Sequence, residues 1–298
     1  MTYHPWKTSD PHLSFEYAPN IEFFAPTVLN ELQMTVDYLL DNILVQHGIE
    51  ATHNFIWGRT RAVRRDLYRQ RDHSVDAIYC LERIVRYHIL AFHVVCRGQR
   101  EVETLEIEQL KKALQSLTEV YHDARPKYTS PNEPEFRSYY ILMHIRSRQA
   151  LFTLRKLPPA VYYSPVLQWA LRIRFTLSRN SDGSDEHGSD VTQMDYAGFF
   201  DILSQPHTSY LTACLLEAQF DDIRRQMCLM LGLALKSTAR IVTLAQFQSF
   251  LHLDTIEEAI GWISHLKWNL TSTGHVEIPQ SRKPDILLRT CFFFFFSF

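Results

Sequence analysis

Apolar residues recur at three- and four-residue steps along most of this chain, which is the period of an amphipathic α-helix. The spacing predicts a first helix over residues 27–46, which ends near Gly48, and a second helix from Phe55 to about Gln70. Two more helices follow, one with an apolar face from Ile78 to Val95 and one over about 104–122. The first part of the chain is therefore predicted to be a series of helices.

Helix-start signals continue this series. The sequence Ser130-Pro131-Asn132-Glu133 has the pattern of a capping box with proline at the first helical position, and it predicts a helix over about 131–151. The pattern predicts further helices over 163–178, 192–204 and 208–235. Serial helices joined by short loops are typical of a TPR-like helical-repeat solenoid, although no clean 34-residue repeat is visible. We predict a degenerate solenoid over residues 27–205.

The last part of the chain has a different pattern. Capping-box sequences at 243–246 and 255–258 open two short helices, and a β-like segment with a turn at Thr273-Gly274 follows them. A helix, two short capped helices and a terminal hairpin are the elements of a winged helix. The predicted fold is therefore mainly α, a solenoid followed by a C-terminal winged-helix region over 206–290, which is the architecture of PCI-type scaffold subunits.

Three segments have no helical or strand period. Residues 1–26 are predicted to form an extended N-terminal arm, and the polar segment 179–190 is interpreted as a solvated surface loop or a phosphorylated switch. Residues 291–298 contain five consecutive phenylalanines and are interpreted as a non-native or disordered tail. No stretch approaches the roughly 20 apolar residues of a membrane span, and the first ten residues lack the apolar region of a signal peptide.

Composition narrows the possible functions. The chain has only 9 glycines in 298 residues, which argues against glycine-rich phosphate loops, and its formal net charge of -2 gives no sign of a globally basic nucleic-acid binder. The five cysteines form no CxxC pair, which indicates reduced thiols and no zinc site. No HExxH, GxSxG, Walker or dinucleotide motif occurs. We predict a non-enzymatic protein with no catalytic residues, no metal and no cofactor.

One segment departs strongly from neutrality. Residues 59–71 hold six arginines and one aspartate. A helical projection places four of these arginines on one side, opposite an apolar stripe: Arg61, Arg64, Arg65 and Arg69. Like charges four residues apart cost a few tenths of a kcal/mol per pair, so the arginines need anionic counterparts. A nucleic acid or an acidic partner would serve. So would carboxylates of neighbouring helices, for example Glu82, Glu135 or Asp76.

Four sequence blocks, at 55–66, 81–88, 130–140 and 211–224, resemble the SAC/GANP family in the order in which the family carries them. The first block, Phe55-Ile56-Trp57-Gly58-Arg59-Thr60-Arg61 and onward, is the most specific. It departs from the family at Gly58, where an acidic residue is usual. The resemblance covers about residues 26–280. The family signature falls on Arg59, Arg61, Arg64, Arg65, Asp66, Asn132, Glu133, Glu135 and Arg137.

This resemblance implies the scaffold of the nuclear mRNA export complex TREX-2, which links transcription to export at the nuclear pore. It implies a PCI-domain partner subunit, a small acidic Sem/DSS-type peptide held by that partner, and RNA or DNA bound on a joint platform of two winged helices, with no membrane contact. The candidate nucleic-acid-binding residues are then Lys267, Arg282 and Lys283. The candidate partner-binding anchors are Trp262 and Trp268.

The charge of the predicted winged-helix region leaves alternatives open. Residues 236–289 carry six basic and five acidic side chains, so this region has no strong positive surplus for nucleic acid. A stand-alone nucleic-acid-binding regulator is one alternative. A PCI scaffold subunit of another assembly, of the proteasome-lid or translation-initiation kind, is the other.

Overall fold

The computed structural model describes residues 29–96, 100–125, 127–145, 147–177, 195–234 and 241–279. The described part is mainly helical, which confirms the predicted fold class. The chain divides into two compact units, Met1–Tyr140 and Ile141–Phe298. The predicted arm, polar loop and phenylalanine tail lie outside the described residues. No helix of the described ranges has the length and apolar character needed to cross a membrane.

The first unit is built from successive helices, two of which continue into a π-helical turn. These elements are α1 (Leu29–Asp37), a π turn (Tyr38–Ile43), α2 (Leu44–His47), α3 (Ile49–Gln70), α4 (Val75–Ala91), a second π turn (Phe92–Cys96) and α5 (Arg100–Ala124). Helix α6 (Glu133–Met143) starts in this unit. The apolar stripe predicted on α3 is buried, since Ile56, Val63 and Leu67 are almost fully covered. Burying such stripes is the main source of stability in stacked helices.

Helix α3 starts earlier than the sequence pattern predicts. It begins at Ile49, directly after Gly48, whose φ of 79° lies in the left-handed region that glycine adopts without strain. The buried Thr52 hydroxyl donates to the Gly48 carbonyl at 2.7 Å, which satisfies a polar group inside the first turn. The polar residues between Gly48 and Phe55 hid this part of the helix from the periodicity argument. The arginine-bearing segment therefore belongs to a helix of 22 residues.

The second unit begins with a break that the sequence does not reveal. The sequence predicts one helix over 131–151. In the structure α6 ends at Met143, and a separate helix, α7 (Arg148–Leu154), begins five residues later. The Arg174 guanidinium donates to the carbonyl of His144 at 2.6 Å and to that of Ser147 at 2.7 Å. These bonds satisfy backbone oxygens that an unbroken helix would have paired internally. The single-helix prediction is therefore wrong, because a distant side chain stabilises the interruption.

The remaining helices of the second unit are α8 (Pro159–Tyr162), α9 (Pro165–Thr176), α10 (Tyr196–Leu203) and α11 (Tyr210–Ala234). The last three fall within the predicted segments, whereas the short α8 was not predicted. The Ser164 hydroxyl caps α9 by accepting from the Leu167 amide at 3.3 Å, and proline follows it at the first helical position.

A small antiparallel sheet with two short helices completes the described chain. Its elements are β1 (Ile241–Thr243), α12 (Leu244–Phe250), α13 (Ile256–His265), β2 (Asn269–Leu270) and β3 (His275–Glu277). The strand order is β1-β3-β2, and Val276 lies opposite both Val242 and Leu270. Both short helices and the hairpin are confirmed. The winged-helix assignment and the domain limits 27–205 and 206–290 stay predictions.

The two capping boxes behave differently. At α12 the Thr243 hydroxyl accepts from the Gln246 amide and the Gln246 side chain accepts from the Thr243 amide, so the reciprocal pair is complete. At α13 the Thr255 hydroxyl accepts from the Glu258 amide, but the Glu258 carboxylate accepts from Asp254 instead. Both helices nevertheless start where the sequence places them.

Candidate functional site

The signature arginines of α3 do not share one environment. Arg64 points inward, where its Nη2 donates to Gln109 Oε1 of α5 at 2.7 Å. Burial, helped by the charge of Arg61, lowers the pKa of Arg64 to about 10. The Arg61 guanidinium lies 5.7 Å from the centre of the Trp57 ring, while Arg65 is exposed. The remaining members of this block, Arg59 and Asp66, are half-buried, and Arg59 lies 5.4 Å from the Phe55 ring centre.

The carboxylates proposed as internal partners of the α3 arginines are largely committed elsewhere. Glu82 of α4 is 4% exposed and accepts three hydrogen bonds, from the Tyr121 hydroxyl at 2.7 Å, from Ser130 Oγ at 2.6 Å and from Asn132 Nδ2 at 2.7 Å. A buried carboxylate needs such donors because it has lost its hydration. Burial and the Glu82 carboxylate together raise the pKa of the Tyr121 hydroxyl, so this group stays a donor. The signature residue Asn132 thus joins the start of α6 to α4.

Glu133 is predicted to complete a capping box at the start of α6, but its carboxylate forms ion pairs instead. Its carboxylate is 1% exposed and accepts from Arg125 Nη2 at 2.7 Å and from Arg137 Nη2 at 2.9 Å. The Ser130 hydroxyl donates to Glu82 and accepts from the Asn132 amide, while the Glu133 amide donates to the Ser130 carbonyl. The predicted capping box therefore does not form, and α6 begins at Glu133 rather than at Pro131. Burial lowers the pKa of Arg137, and the charge of Glu133 opposes this shift. The capping-box prediction was wrong because Arg125 and Arg137 bind the Glu133 carboxylate and the Ser130 hydroxyl accepts from Asn132.

Glu135 forms the third contact of this block. Its carboxylate accepts two parallel hydrogen bonds from Arg86 of α4, one from Nε at 2.9 Å and one from Nη2 at 2.7 Å. It accepts a third from the Tyr139 hydroxyl at 3.0 Å. The Arg86 guanidinium also lies 4.8 Å from the Phe136 ring centre. Hydrogen bonding to Glu135 raises the pKa of Arg86. Signature residues of the 130–140 block therefore bind one another and α4, which fixes the packing of these helices.

A buried histidine cluster was not found from the sequence. The fully buried His88 of α4 contacts the Glu106 carboxylate through Nδ1, and His53 Nε2 lies 3.8 Å from the other Glu106 oxygen. Burial lowers the pKa of His53, although the charge of Glu106 opposes this. His88 lies in the 81–88 block, but its partner Glu106 lies 18 residues further along the chain.

The lowered pKa of His53 predicts a pH dependence of stability. The unfolded state, with a histidine pKa near 6.5, binds more protons than the folded state, so stability should fall as pH drops from about 7.5 through 6.5. Urea midpoints measured across this range should fall less steeply for His53→Gln than for the wild type. The exposed His122→Gln serves as the control and should follow the wild-type slope. Equal slopes for all three proteins would contradict the prediction.

The predicted residues of the C-terminal region are divided between core and surface. Trp262 of α13 is half-buried and lies edge-on to His265, with ring centres 6.1 Å apart. Trp268 is 6% exposed and packs against Phe247 at 5.8 Å between ring centres, so it is a core residue rather than a surface anchor. Lys267 is exposed on a left-handed backbone with φ 56°. The other two candidates, Arg282 and Lys283, lie outside the described residues.

The two tryptophans should respond differently to truncation. Trp268→Ala removes a buried ring and should cost about 3–5 kcal/mol of stability, whereas Trp262→Ala should cost less than half of that. Thermal unfolding followed by circular dichroism measures both. Equal losses would show that Trp262 is also a core residue and would remove it from the candidate anchors.

Comparison with known proteins agrees with these features. A profile of the SAC3/GANP family matches residues 27–272. The chain is 36% identical over 234 residues to SAC3 family protein 1 of Schizosaccharomyces pombe, an alignment that covers 76% of this chain and 23% of that protein. It is 32% identical over 209 residues to SAC3 family protein B of Arabidopsis thaliana, with 65% and 12% covered. It is 26% identical over 268 residues to Protein xmas of Drosophila melanogaster, with 84% and 12% covered.

The chain therefore spans less than a quarter of the length of each of these relatives. The family match nevertheless includes every described helix of the first unit, since the match begins at residue 27 and α1 begins at Leu29. The blocks that carry the resemblance fall inside it, including the buried contacts of Asn132, Glu133 and Glu135. With the match extending over most of its length, this chain belongs to the SAC3/GANP family.

Proposed function

We propose that this chain is a non-enzymatic scaffold module of a TREX-2-like nuclear mRNA export complex at the nuclear pore. The observation that carries the proposal is the use of the family signature: Asn132, Glu133 and Glu135 are engaged in contacts between helices. A catalytic constellation would instead direct such carboxylates into a cleft. Side chains that hold helices together are what a scaffold requires.

Within this proposal, a second PCI-domain subunit binds the C-terminal sheet region. Helix α13 carries two exposed apolar side chains, Ile256 and Ile260, in addition to the half-buried Trp262. Exposed isoleucines beside an aromatic residue fit the apolar centre of a protein interface. The partner would bring the small acidic Sem/DSS-type peptide. RNA or DNA would bind the joint surface, to which this chain contributes Lys267 and the basic pair Arg282 and Lys283.

Affinity purification of the full tagged chain from cell extract tests the proposal. A PCI-domain subunit of an mRNA export complex should co-elute. Either Trp262→Ala or Ile260→Glu should weaken that binding about tenfold or more, because hot-spot residues contribute about 2 kcal/mol or more. The matched control is Leu105→Glu, which places the same charge at an exposed apolar position of α5 and should leave binding unchanged.

Three outcomes would contradict the proposal. Co-elution of a proteasome-lid or translation-initiation subunit in place of an export subunit would assign the chain to another PCI assembly. Recovery of no PCI subunit would favour a protein that acts alone. Equal loss of binding in Leu105→Glu and Ile260→Glu would show that the effect does not come from α13.

A further inference from the structure

Two groups of arginines in the first unit differ in their contacts. Those of the first group each contact a carboxylate: Arg83 binds Asp37 and Asp41, Arg86 binds Glu135, and Arg125 and Arg137 bind Glu133. In the second group are Arg61, Arg65 and Arg69 of α3, which are exposed. Across the described ranges, none of these three forms an ion pair with a carboxylate. The fold pairs the arginines of the first group with carboxylates and buries Arg64 against the neutral Gln109 side chain, whereas Arg61, Arg65 and Arg69 face solvent.

The three arginines form a regular row. They are four residues apart, so they rise by about 6 Å each and lie along one side of the helix over about 12 Å. Asp66 lies about 100° from Arg65 around the helix axis but only about 60° from Arg69. Within the described residues, Asp66 forms no ion pair with Arg69. Like charges at this spacing repel one another, which disfavours the helix unless an anion binds. The charge of Arg61 also contributes to the lowered pKa of the neighbouring Arg64.

Aromatic side chains accompany this row. Tyr68 is 76% exposed, and its position in the helical projection is between those of Trp57 and Arg61. Trp57 is half-buried, with the Arg61 guanidinium 5.7 Å from its ring centre. Aromatic rings beside a line of arginines are typical of surfaces on which unpaired bases stack while phosphates bind the cations.

We propose that Arg61, Arg65, Arg69 and Tyr68, here called the α3 basic face, bind single-stranded nucleic acid directly. The arginines contact successive phosphates, and Tyr68 stacks on a base. The carboxylates of an acidic peptide would pair with the arginines but would not stack on the exposed Tyr68 ring. A single strand offers both phosphates and bases, so these contacts favour a nucleic acid. This surface lies in the first unit and does not depend on the partner subunit or on the C-terminal sheet region. It adds a second contact to the platform of the proposed function.

Fluorescence anisotropy with the full chain and a labelled single-stranded oligonucleotide tests this proposal. Arg61→Gln/Arg65→Gln/Arg69→Gln should reduce affinity at least tenfold, and the slope of log affinity against log salt should become shallower by about two, as expected for three lost phosphate contacts on a single strand. Tyr68→Ala should reduce affinity about fivefold or more with an unchanged salt slope, because stacking releases no counterions. Parallel titrations with RNA and DNA strands decide which nucleic acid binds more tightly.

The matched control removes the same charge from exposed lysines of the same unit, Lys111→Gln/Lys112→Gln/Lys127→Gln. It should keep at least half of the wild-type affinity. The proposal is overturned if the wild type shows no salt-dependent binding, or if the lysine control loses as much affinity as the arginine variant. It is also overturned if polyglutamate competes with the strand and Tyr68→Ala has no effect, since the surface would then be one for acidic peptides. Failure of the partner purification would not affect these titrations.

Discussion

Glu133→Ala is expected to lower the free energy of unfolding by about 3–5 kcal/mol, the loss typical of removing one member of a buried ion pair. The variant leaves Arg137, which is almost fully buried, without its carboxylate, and it leaves Arg125 without the same partner. The Nη2 of Arg137 keeps only a bond of 3.3 Å to the Thr118 carbonyl. Urea unfolding followed by far-ultraviolet circular dichroism should show the loss as an earlier transition.

The neighbouring Glu135→Ala is the matched control for this experiment. Its ion pair with Arg86 is partly exposed on both sides, and pairs in such positions contribute about 0–1 kcal/mol. A variant that does not fold at all would also fit a large loss, so Glu133→Gln, which retains an acceptor oxygen, should give a smaller and measurable shift. Equal losses for Glu133→Ala and Glu135→Ala would show that burial of the Glu133 pair does not determine its contribution.

Arg174→Leu is expected to destabilise the second unit by about 2–4 kcal/mol. The side chain is 1% exposed, and its charge is satisfied by the carbonyls of His144 and Ser147. Hydrogen bonds to a charged group contribute about 1.5–3 kcal/mol each. Part of their loss is offset because the leucine variant no longer has to bury a cation, which costs desolvation energy. That desolvation is large enough to lower the pKa of Arg174 to about 10. Limited proteolysis should also show faster cleavage near residues 144–147.

The control for Arg174 lies two residues away on the same helix. Arg172 is exposed, with its guanidinium 5.0 Å from the Trp169 ring centre, so Arg172→Leu should change stability by well under 1 kcal/mol. Arg174→Lys should fall between the two, because an ammonium group cannot reach both carbonyls as the guanidinium fork does. If Arg174→Leu were as stable as Arg172→Leu, the carbonyl contacts would not hold the break between α6 and α7.

Local patterns predicted this protein well where the decisive contacts are local. The capping box at Thr243, the turn at Gly274 and the buried stripe of α3 each depend on residues a few positions apart. Prediction failed where a local signal competed with a distant partner. The Ser130 hydroxyl donates to Glu82, 48 residues away, and accepts from the Asn132 amide instead of the Glu133 amide that a capping box requires. Nothing in the 130–133 sequence indicates that competition.

The candidate site shows the same division. The signature residues were identified from their sequence blocks, but only the tertiary contacts show that Glu133 and Glu135 serve packing while three arginines of α3 remain exposed. Trp262 and Trp268 are six residues apart and look equivalent in sequence, yet one is half-buried and the other lies in the core. Burial is a property of neighbours that come from elsewhere in the chain, and composition cannot supply it.

The sequence by itself determined the helical class, the order of the helices, the short C-terminal helices with their hairpin, and the resemblance to a family. Periodicity and capping act within a few residues, and that is why they can be read directly. The tertiary structure alone decided which charges are paired, where the helix over 131–151 is broken, and which aromatic rings remain exposed. Those outcomes depend on contacts such as Arg174 with His144, which join groups 30 residues apart.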